Sequence, residues 1–511
     1  MRGILYVVLL LVIVVVNSDT ANILAVYPTP SISHQIVFRP LTMELIKRGH
    51  KVVVLTTDPI YQISESPDNL TEIDVHDVSY DIWRKELYSS NTIQGNNNDI
   101  IPQVKILFSI TLKLVEKQYN HEKIQKILKG KCKFDLLIHE AFCLSALIFS
   151  HILKVPVIQI SSMGSVPDVL NIFGAPSHPL MFPYSVQQKI YDLTIRDKLR
   201  QLYIHYKFDK IAQDFERQTD IDSNVPTLGE LKKNVDLMFL NVYPFWEMNR
   251  PAPPNFIYLG GLHQKAEREL PKDIKTYLDS STHGVIYISF GTNVDLALLP
   301  PHKIQILTNV FSKLPYDILW KWNENKLPGR SKNIKISKWL PQADLLKHHK
   351  VKLFITQGGL QSSDEAITAG VPLIGIPMLG DQWYNVEQYV HHGIGVRVDM
   401  ETIDEEKFRN AINEILSNNS YRRNIVRLKR IIDDQPQTPL ERAVWWTEYV
   451  IRHGGAKHLR SPAANISWTE YLELELVFYL LTICMIIIVA IILILYRLIG
   501  VKKINGKLKS S

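Results

Sequence analysis

Short runs of apolar residues alternate with longer amphipathic stretches over most of the chain. The runs at residues 22–27 and 51–56 are almost continuously hydrophobic, as in parallel strands that are buried on both faces. The stretch 34–48 between them has helical spacing and is followed by a glycine. Further strand-like runs occur at 155–161 and 235–242. The first half of the chain is therefore predicted to be an α/β domain with a parallel sheet.

A second series of the same kind follows a proline-rich segment at 250–254, which is typical of a linker. Its predicted strands include 285–289, 317–322 and 351–356, whereas the segment from about 60 to 130 is less regular. Two such series predict an α/β chain with two Rossmann-like domains facing a cleft. The predicted bounds are 22–245 for the first domain, 246–270 for the linker and 271–450 for the second domain.

Both ends of the chain carry apolar runs that are typical of segments which target a protein to a membrane or anchor it there. Residues 4–16 fit the core of a secretory signal peptide spanning 1–21 and are short for a membrane span; a buried core helix is the alternative. Residues 476–495 carry no charge over twenty positions, about 30 Å as a helix. A transmembrane helix at 474–496 and a tail at 497–511 are therefore predicted.

The charge distribution predicts on which side of the membrane this tail lies. Five of the basic residues lie in the last fifteen positions and leave +2 of the formal charge of +7 for the rest, so no nucleic-acid partner is indicated. Glutamates before the span and basic residues after it predict a cytoplasmic tail and a lumenal body. Lys507 and Lys509 have the spacing of a dilysine retrieval signal, which predicts the endoplasmic reticulum; a solvated basic tail is the alternative.

The cysteines and glycosylation sequons are compatible with a lumenal body. Three cysteines are too few for a disulfide framework. Cys132 and Cys143 could pair in an oxidising lumen or remain buried thiols, and the sequence leaves both open. Asn69, Asn418 and Asn465 begin N-x-S/T sequons, and Asn465 lies near the predicted membrane span.

The chain's most informative stretch combines a strand, a glycine turn and a helix. The buried strand predicted at 351–356 leads into Gly358 and Gly359, which permit a tight turn and close approach of a ligand to the backbone. Ser362 is predicted as the N-cap of the following helix, with Glu365 at capping-box spacing. Free N–H groups and the positive end of a helix dipole would then point at one place, which predicts a phosphate site.

The amino-acid sequence of this region resembles a signature of a known family. The block contains W-L-P-Q at 339–342, F-I-T-Q-G-G-L-Q-S-S-D-E-A-I at 354–367 and D-Q-W-Y-N at 381–385. It is similar to the nucleotide-binding signature of the UDP-glycosyltransferases, which include the vertebrate UDP-glucuronosyltransferases, and to insect members in particular. The resemblance extends over nearly the whole chain. It implies the GT-B fold, with acceptor binding in the first domain and UDP-sugar binding in the second.

His34 is the candidate catalytic base. It follows the first predicted strand, at the sheet edge where α/β folds bind ligands, and an imidazole suits general-base work at neutral pH. A structural histidine at a helix start is the alternative, but His34 matches the family's catalytic histidine in P-x-x-S-H. The resemblance implies a carboxylate partner after F-D, where this chain has Glu140 in place of aspartate. A helix-dipole role is the alternative for Glu140.

The resemblance also implies a set of residues that bind the UDP-sugar. Trp339 would stack on uracil, with a core position as the alternative, and Glu365 would bind ribose hydroxyls. Gln357 departs from the histidine of most vertebrate members, so it can donate a hydrogen bond without bringing positive charge. The other implied ligands are Gln342 for the nucleoside, the diphosphate donors Arg250, Gly291, Thr292, Gly358, Gly359 and Ser362, and the sugar ligands Asp381 and Gln382.

These observations predict a metal-independent, inverting UDP-glycosyltransferase without a cofactor beyond its UDP-sugar co-substrate. The letters Asp220-Ile221-Asp222 match a metal-binding Asp-x-Asp, but they follow a charged helix rather than a strand. Glucose is the expected donor sugar and a small lipophilic hydroxyl compound the expected acceptor, as in detoxifying conjugation. UDP-glucuronate, or a non-catalytic UDP-sugar-binding protein, is the alternative. Acceptor identity is left open, and a homo-oligomer is compatible with the sequence.

Overall fold

A computed structural model describes residues 20–508 except 63, 89–99, 131–132, 166, 177, 219–224 and 295. Residues 1–19 of the predicted signal peptide, Cys132 and residues Asp220–Asp222 lie outside the described residues. Among the described residues the strands form two parallel sheets, which confirms the predicted α/β class and its two Rossmann-like units.

The first sheet has seven strands in the order β3-β2-β1-β4-β5-β6-β7. Because the order reverses between β1 and β4, the carboxyl ends of these two strands border a crevice of the kind that binds ligands. All of β1 except its first residue is buried or nearly so, as its apolar run predicts. The strands are β1 (Asn22–Tyr27), β2 (Lys51–Thr56), β3 (Leu70–Asp74), β4 (Leu136–Glu140), β5 (Val157–Ser161), β6 (Val235–Leu240) and β7 (Phe256–Tyr258).

Helices cover both faces of this sheet. They are α1 (Ile32–Lys47), α2 (His76–Tyr88), α3 (Ile100–Tyr119), α4 (Glu122–Leu128), α5 (Ile148–Leu153), α6 (Pro167–Phe173), α7 (Ile195–Gln218) and α8 (Leu228–Leu231). The segment of irregular patterning therefore contains β3 and three helices. Its helices carry apolar residues toward the core, but polar insertions interrupt the pattern in the sequence.

The second sheet has six strands in the order β10-β9-β8-β11-β12-β13, and its order reverses between β8 and β11. Its strands are β8 (Val285–Ser289), β9 (Asp317–Lys321), β10 (Ile334–Ser337), β11 (Val351–Thr356), β12 (Leu373–Gly375) and β13 (Gly395–Arg397). Its helices are α9 (Lys272–Ser280), α10 (Pro301–Ser312), α11 (Gln342–Leu346), α12 (Leu360–Ala369), α13 (Gln382–His391), α14 (Glu405–Ser417) and α15 (Asn419–Asp433).

The boundary between the two units differs from the predicted linker. β7 lies inside the predicted linker 246–270, and it pairs with β6 as the last strand of the first sheet. Helix α16 (Pro439–His453), assigned in part to the second domain, packs Ala443 and Val444 into the core of the first domain. The chain therefore returns to the first domain after completing the second sheet. A three-residue strand among prolines gives too short a pattern to predict.

Trp246 connects the first domain to helix α13 of the second. Its indole Nε1 donates to Asn385 Oδ1 at 2.9 Å. Its backbone carbonyl accepts from Tyr384 Oη and Gln388 Nε2, each at 2.9 Å. These three hydrogen bonds are buried, so they hold the start of the connection against the second domain.

The C-terminal end is a short helix, α17 (Trp468–Tyr471), followed by α18 (Leu474–Leu508). Residues Leu474–Leu498 of α18 are long and apolar enough to cross a membrane, and this part of the helix is not buried against the protein. This placement agrees with the predicted span at 474–496.

The sequons and thiols lie in different environments. Asn69 Nδ2, the atom that would carry a glycan, donates to Ile46 O at 2.8 Å and to His50 O at 2.9 Å in the folded chain. Asn418 is exposed and its Oδ1 caps α15, whereas Asn465 is partly buried. Cys143 is a free, buried thiol.

Candidate active site

A cavity of about 490 Å³ lies between the two domains. Its walls come from the β1/β4 edge of the first sheet and from the β8/β11 edge of the second, the two points where strand order reverses. Eleven of the predicted site residues line it: His34, Gly291, Thr292, Trp339, Gln342, Gln357, Gly359, Ser362, Glu365, Asp381 and Gln382. The fold thus brings together the predicted base and most of the predicted UDP-sugar ligands.

His34 lies in the first turn of α1, directly after the loop that follows β1. Its Nδ1 is 2.5 Å from Glu140 Oε1. Glu140 is fully buried as the last residue of β4, and its Oε2 accepts from Thr29 N at 3.1 Å. Because Glu140 ends a strand, the helix-dipole interpretation is wrong. The carboxylate holds the proton on Nδ1 and leaves Nε2 as the basic nitrogen.

The neighbouring His139 has a different environment. Successive strand residues point to opposite faces, and the Nδ1 of His139 lies 3.0 Å from the backbone oxygen of Glu140. Complete burial lowers the pKa of His139 to about 4, which keeps its imidazole neutral. Of the two histidines near Glu140, only His34 contacts its carboxylate among the described hydrogen bonds.

Two glycines allow a close approach between the loop that follows β8 and the loop that follows β11. We call these two loops the donor loops, because the resemblance assigns them to the UDP-sugar donor. Gly358 has φ +91°, and a Cβ there would lie 2.6 Å from Val386 Cγ2. Gly291 has φ +66°, and a Cβ there would collide with the amide of Gln357. A side chain at either position would therefore strain the backbone and displace the loop. The amide of Gln357 packs against Gly291, at the turn where the resemblance places the diphosphate.

Helix α12 begins earlier than predicted. Its first residue is Leu360 and its N-cap is Gly359, so the predicted N-cap role of Ser362 is wrong. Ser362 lies at the third helical position, where its Oγ accepts from Gln342 Nε2 at 2.9 Å. The turn after β11 closes at once because Gly358 adopts a positive φ, and the helix follows without spacer residues. The N-terminus of α12 still opens toward the cavity, as a phosphate site requires.

Trp339 and Gln342 are the predicted nucleoside contacts. The Trp339 side chain is 65% exposed, so a core role is wrong, and Lys321 Nζ lies 5.4 Å from its ring centroid. Gln342 Nε2 donates to Glu365 Oε2 at 2.7 Å, and Gln342 Oε1 accepts from Tyr287 Oη at 3.0 Å. Burial raises the pKa of Glu365 to about 7, although the Gln342 amide opposes this shift.

Asp381 and Gln382 begin helix α13. Asp381 Oδ2 accepts from Asn385 Nδ2 at 3.0 Å, and burial raises the pKa of Asp381 to about 6 despite this hydrogen bond. His34 and Asp381 line the same cavity, so the predicted base and the predicted sugar ligand face one space. Gln382 Oε1 accepts from the backbone N–H groups of Met378 and Leu379, so it fixes the preceding loop.

Arg250 is the one predicted ligand whose placement is contradicted. Its Nη1 donates to Pro176 O at 2.6 Å and its Nη2 to Pro183 O at 3.0 Å. Its Nε lies 3.6 Å from Glu247 Oε2, and the side chain is buried in the first domain. The guanidinium is thus committed to structural contacts, because the linker bends back along the first sheet instead of crossing to the donor loops.

The structure adds residues that the sequence did not single out. Lys321 ends β9, and its Nζ donates to Gly291 O in the cavity wall. Asn293 Nδ2 donates to Ser31 Oγ at 3.0 Å across the domain gap, beside the N-terminus of α1. Asn385 Nδ2 also donates to Gly358 O at 2.9 Å, so it ties Asp381 to the glycine turn. The sequence could have indicated Lys321, because this residue lies at the carboxyl end of a predicted strand, where α/β folds bind ligands.

Comparisons with known proteins agree with this geometry. The profile of the family described as "UDP-glucoronosyl and UDP-glucosyl transferase" matches residues 22–509. An ecdysteroid UDP-glucosyltransferase of Spodoptera littoralis nuclear polyhedrosis virus is 35% identical over 485 residues, covering 90% of this chain and 94% of that protein. Human UDP-glucuronosyltransferase 2B17 is 30% identical over 489 residues, covering 91% of each chain.

Solved structures support the fold. A UDP-glucose:anthocyanidin 3-O-glucosyltransferase in complex with UDP has a TM-score of 0.58 at 18% identity, covering 84% of this chain and 99% of that one. Together with the cavity between two Rossmann-like domains and the family match along the chain, this likeness confirms the predicted GT-B arrangement. The chain belongs to the UDP-glycosyltransferase family.

Proposed function

We propose that this protein transfers a hexose, by preference glucose, from a UDP-sugar to a hydroxyl group of a small lipophilic acceptor. The observation that carries the proposal is the buried pair of His34 and Glu140, which opens into the same cavity as the glycine turn of the second domain. A protein that only bound UDP-sugars would need the turn but not a histidine oriented by a carboxylate.

The geometry supports a single-displacement mechanism. Glu140 keeps the Nδ1 proton of His34 in place, so Nε2 takes the proton of the acceptor hydroxyl. The acceptor oxygen then forms a bond to the anomeric carbon while the bond from that carbon to the UDP oxygen breaks. Attack from the face opposite UDP inverts the anomeric configuration and gives a β-glycoside. The electron pair leaves with the diphosphate, toward the N-terminus of α12.

The acceptor side of the cavity is apolar. Trp83, Phe108, Phe142 and Phe208 contribute aromatic surface to the wall built by the first domain. Burial of aromatic and aliphatic surface is the main source of affinity for a lipophilic aglycone, and it sets few requirements on hydrogen-bonding groups. This wall supports a small hydrophobic acceptor carrying one hydroxyl near His34.

Glucose is the proposed donor sugar because the viral relative is named as a glucosyltransferase. Gln357, which lines the cavity, brings no positive charge for a sugar carboxylate, and this is consistent with a sugar that lacks one. UDP-glucuronate is the second candidate, since the human relative is named as a glucuronosyltransferase. Labelled UDP-glucose and UDP-glucuronate should be compared over a panel of phenolic and steroid-like acceptors. A clear preference for glucuronate would overturn the choice of donor.

We also propose that the protein is a single-pass protein of the endoplasmic reticulum membrane with lumenal catalytic domains. The apolar part of α18 and the basic residues after it support this orientation. Addition of protease to sealed microsomes should remove only the tail. Digestion of the catalytic domains under the same conditions would contradict the topology.

No metal ion is needed in this proposal. The diphosphate charge would be met by the α12 N-terminus, the donor loops and Lys321. Transfer should therefore persist in the presence of a chelator, and restoration of lost activity by a divalent cation would contradict metal independence.

A further inference from the structure

A pair of opposite charges is buried in the connection between the two sheets. The side chains of Glu247 and Arg250 are almost completely buried, and Arg250 Nε lies 3.6 Å from Glu247 Oε2. Burying two charges costs free energy that their mutual attraction only partly returns, so apolar side chains in the same place are often as stable. The pair is therefore expected to have a role other than net stability, and its hydrogen bonds indicate that role.

Glu247 holds the loop that follows β5. Its Oε1 accepts from Ser165 N, and its Oε2 accepts from Ser165 Oγ at 2.7 Å. The approach is close, since a Cβ at Gly164 would lie 2.9 Å from Glu247 Oε1. The same loop carries Met163, which lines the cavity. Glu247 therefore fixes the stretch of backbone that carries Met163.

Arg250 holds a second segment, which connects α6 to α7. Its Nη1 donates to Pro176 O at 2.6 Å, and its Nη2 donates to Pro183 O at 3.0 Å. Val186, three residues after Pro183, lines the cavity. A guanidinium presents its donors in a rigid, planar fork, so one side chain can bind two carbonyls and fix the distance between them.

The two segments also contact each other. Ser185 donates to Ser165 O through its Oγ at 2.9 Å and through its backbone N at 3.4 Å. We call residues 162–165 and 178–186 the acceptor loops. Apart from one isolated bridge within 178–186, these described residues form turns and bends rather than helix or sheet. Side-chain contacts therefore supply much of what fixes their backbone.

The same stretch of the connection reaches the helix that carries a predicted sugar ligand. The Trp246 carbonyl accepts from Gln388 Nε2 of α13 at 2.9 Å. Gln388 Oε1 in turn accepts from Tyr191 Oη at 2.9 Å, just beyond the second acceptor loop. Helix α13 begins at Gln382. Residues 246–250 therefore set the acceptor loops against the donor side of the cavity.

We infer that Glu247 and Arg250 are positioning residues for the acceptor: they hold the acceptor loops so that Met163 and Val186 fit a large aglycone. The inference rests on the hexose transfer proposed above. A buried polar network with directional bonds fixes one arrangement of the loops. A phenol fills only part of a cavity of about 490 Å³, so it depends less on these loops than a steroid-sized acceptor does.

Steady-state kinetics of Arg250→Met test this role. The variant loses the fork but keeps an unbranched side chain. The apparent KM for a steroid-sized acceptor should rise about tenfold, because a small displacement of the loops costs binding contacts. The KM values for a small phenol and for UDP-glucose should stay the same. An unchanged KM for the steroid-sized acceptor, or an equal rise for all three substrates, would overturn the inference.

Arg460→Met is the matched control. Arg460 Nη1 also donates to a backbone carbonyl of the first domain, Lys233 O at 2.9 Å, and Arg460 is not among the described residues that line the cavity. This variant loses the same kind of contact and should leave all three KM values unchanged. A selective rise of the steroid KM in this control as well would show that the effect is not specific to Arg250.

A double-variant cycle tests whether Arg250 acts through the second acceptor loop. Val186→Ala should raise the KM for the steroid-sized acceptor by itself. If Arg250→Met already displaces Val186, the double variant should have a KM close to that of the more affected single variant. Multiplication of the two single effects would show that Arg250 acts elsewhere and would contradict the proposed route.

Hydrogen exchange gives a readout that does not depend on turnover. In the full-length Arg250→Met protein in detergent, the amides of the acceptor loops should exchange faster, whereas those of β1 and β4 should not change. Faster exchange throughout both sheets, or no change in the loops, would refute the positioning role. Arg460→Met should leave the loops as they are in the unmodified protein.

Ser165→Ala covers the case in which Arg250→Met does not fold. It removes one hydrogen bond to Glu247 and should raise the same KM by a smaller factor, about threefold. An unchanged KM in this variant would count against the inference. If the unmodified protein transferred no sugar to any acceptor, the proposed function would fail instead, and hydrogen exchange would still decide how the loops are held.

Discussion

The two walls of the cavity use different kinds of groups for their functions. In the first domain, the function rests on two side chains, because Glu140 is fully buried and its carboxylate contacts His34 and one backbone N–H group. In the second domain, the donor wall uses a glycine turn, a helix N-terminus and several amides, and its carboxyl groups are held by Gln342 and Asn385.

The carboxyl groups of the second wall have raised pKa values. Burial raises the pKa of Glu365 to about 7 and that of Asp381 to about 6, since an amide stabilises a carboxylate less than a cation does. Removal of one side chain from the first wall is therefore expected to cause a large loss of transfer rate in a single step. The second wall is expected to lose function in smaller steps, because its binding groups are many and partly backbone.

The largest effect is expected for His34→Ala. Loss of the base should lower the rate of transfer about 10²- to 10⁴-fold, and UDP affinity should remain that of the unmodified protein. Single-turnover assays with labelled UDP-glucose and calorimetric titration with UDP measure the two quantities. Unchanged turnover would remove His34 as the base, whereas loss of UDP binding would show that the two walls do not act independently.

A smaller effect is expected for Trp339→Ala. Removing a stacking surface for uracil should weaken UDP binding by about 1–3 kcal/mol, in the range measured for base–aromatic stacking. Because the ring is 65% exposed, the thermal midpoint should not fall. Trp339→Phe should recover part of the affinity. UDP affinity equal to that of the unmodified protein would exclude a stacking role.

Glu365→Gln should produce a pH-dependent change in stability. Between the unfolded pKa of about 4.3 and the folded value of about 7, the native state binds more protons than the unfolded state, so stability falls as pH rises through this window. The variant should therefore melt higher than the unmodified protein at pH 8, with little difference near pH 4.

Glu269→Gln, at an exposed position, is the control for that measurement and should show no such pH dependence. The Glu365→Gln variant should also bind UDP more weakly, because an amide accepts hydrogen bonds from ribose hydroxyls less strongly than a carboxylate. A stability gain of the same size at both pH values would contradict the raised pKa.

The smallest effect on donor binding is expected for Arg250→Met. The guanidinium donates to two backbone carbonyls of the first domain, so its loss should destabilise the fold by about 1–3 kcal/mol. UDP affinity of the folded variant should stay unchanged. A large loss of UDP affinity at full stability would restore the role that the family resemblance implied.

Local patterns and the family resemblance were sufficient to predict the strands that border the site. The apolar runs at β1 and β11, and the glycines that follow β11, predict strand, turn and ligand approach from short stretches of chain. The sequence failed where contacts are long-range. β7 is too short to show a pattern, α16 returns to the first domain, and Arg250 is directed by the path of the linker.

The sequence by itself determined the kinds of element, the positions of the glycine turn and of His34, and, through the resemblance, the family. The tertiary structure decided which groups meet: that Glu140 ends a strand and reaches His34, that α12 starts at Leu360, and that Arg250 is held away from the donor loops. The physical reason is that backbone preferences act over a few residues, whereas pairing of buried charges depends on elements that are distant in sequence and adjacent only in the folded chain.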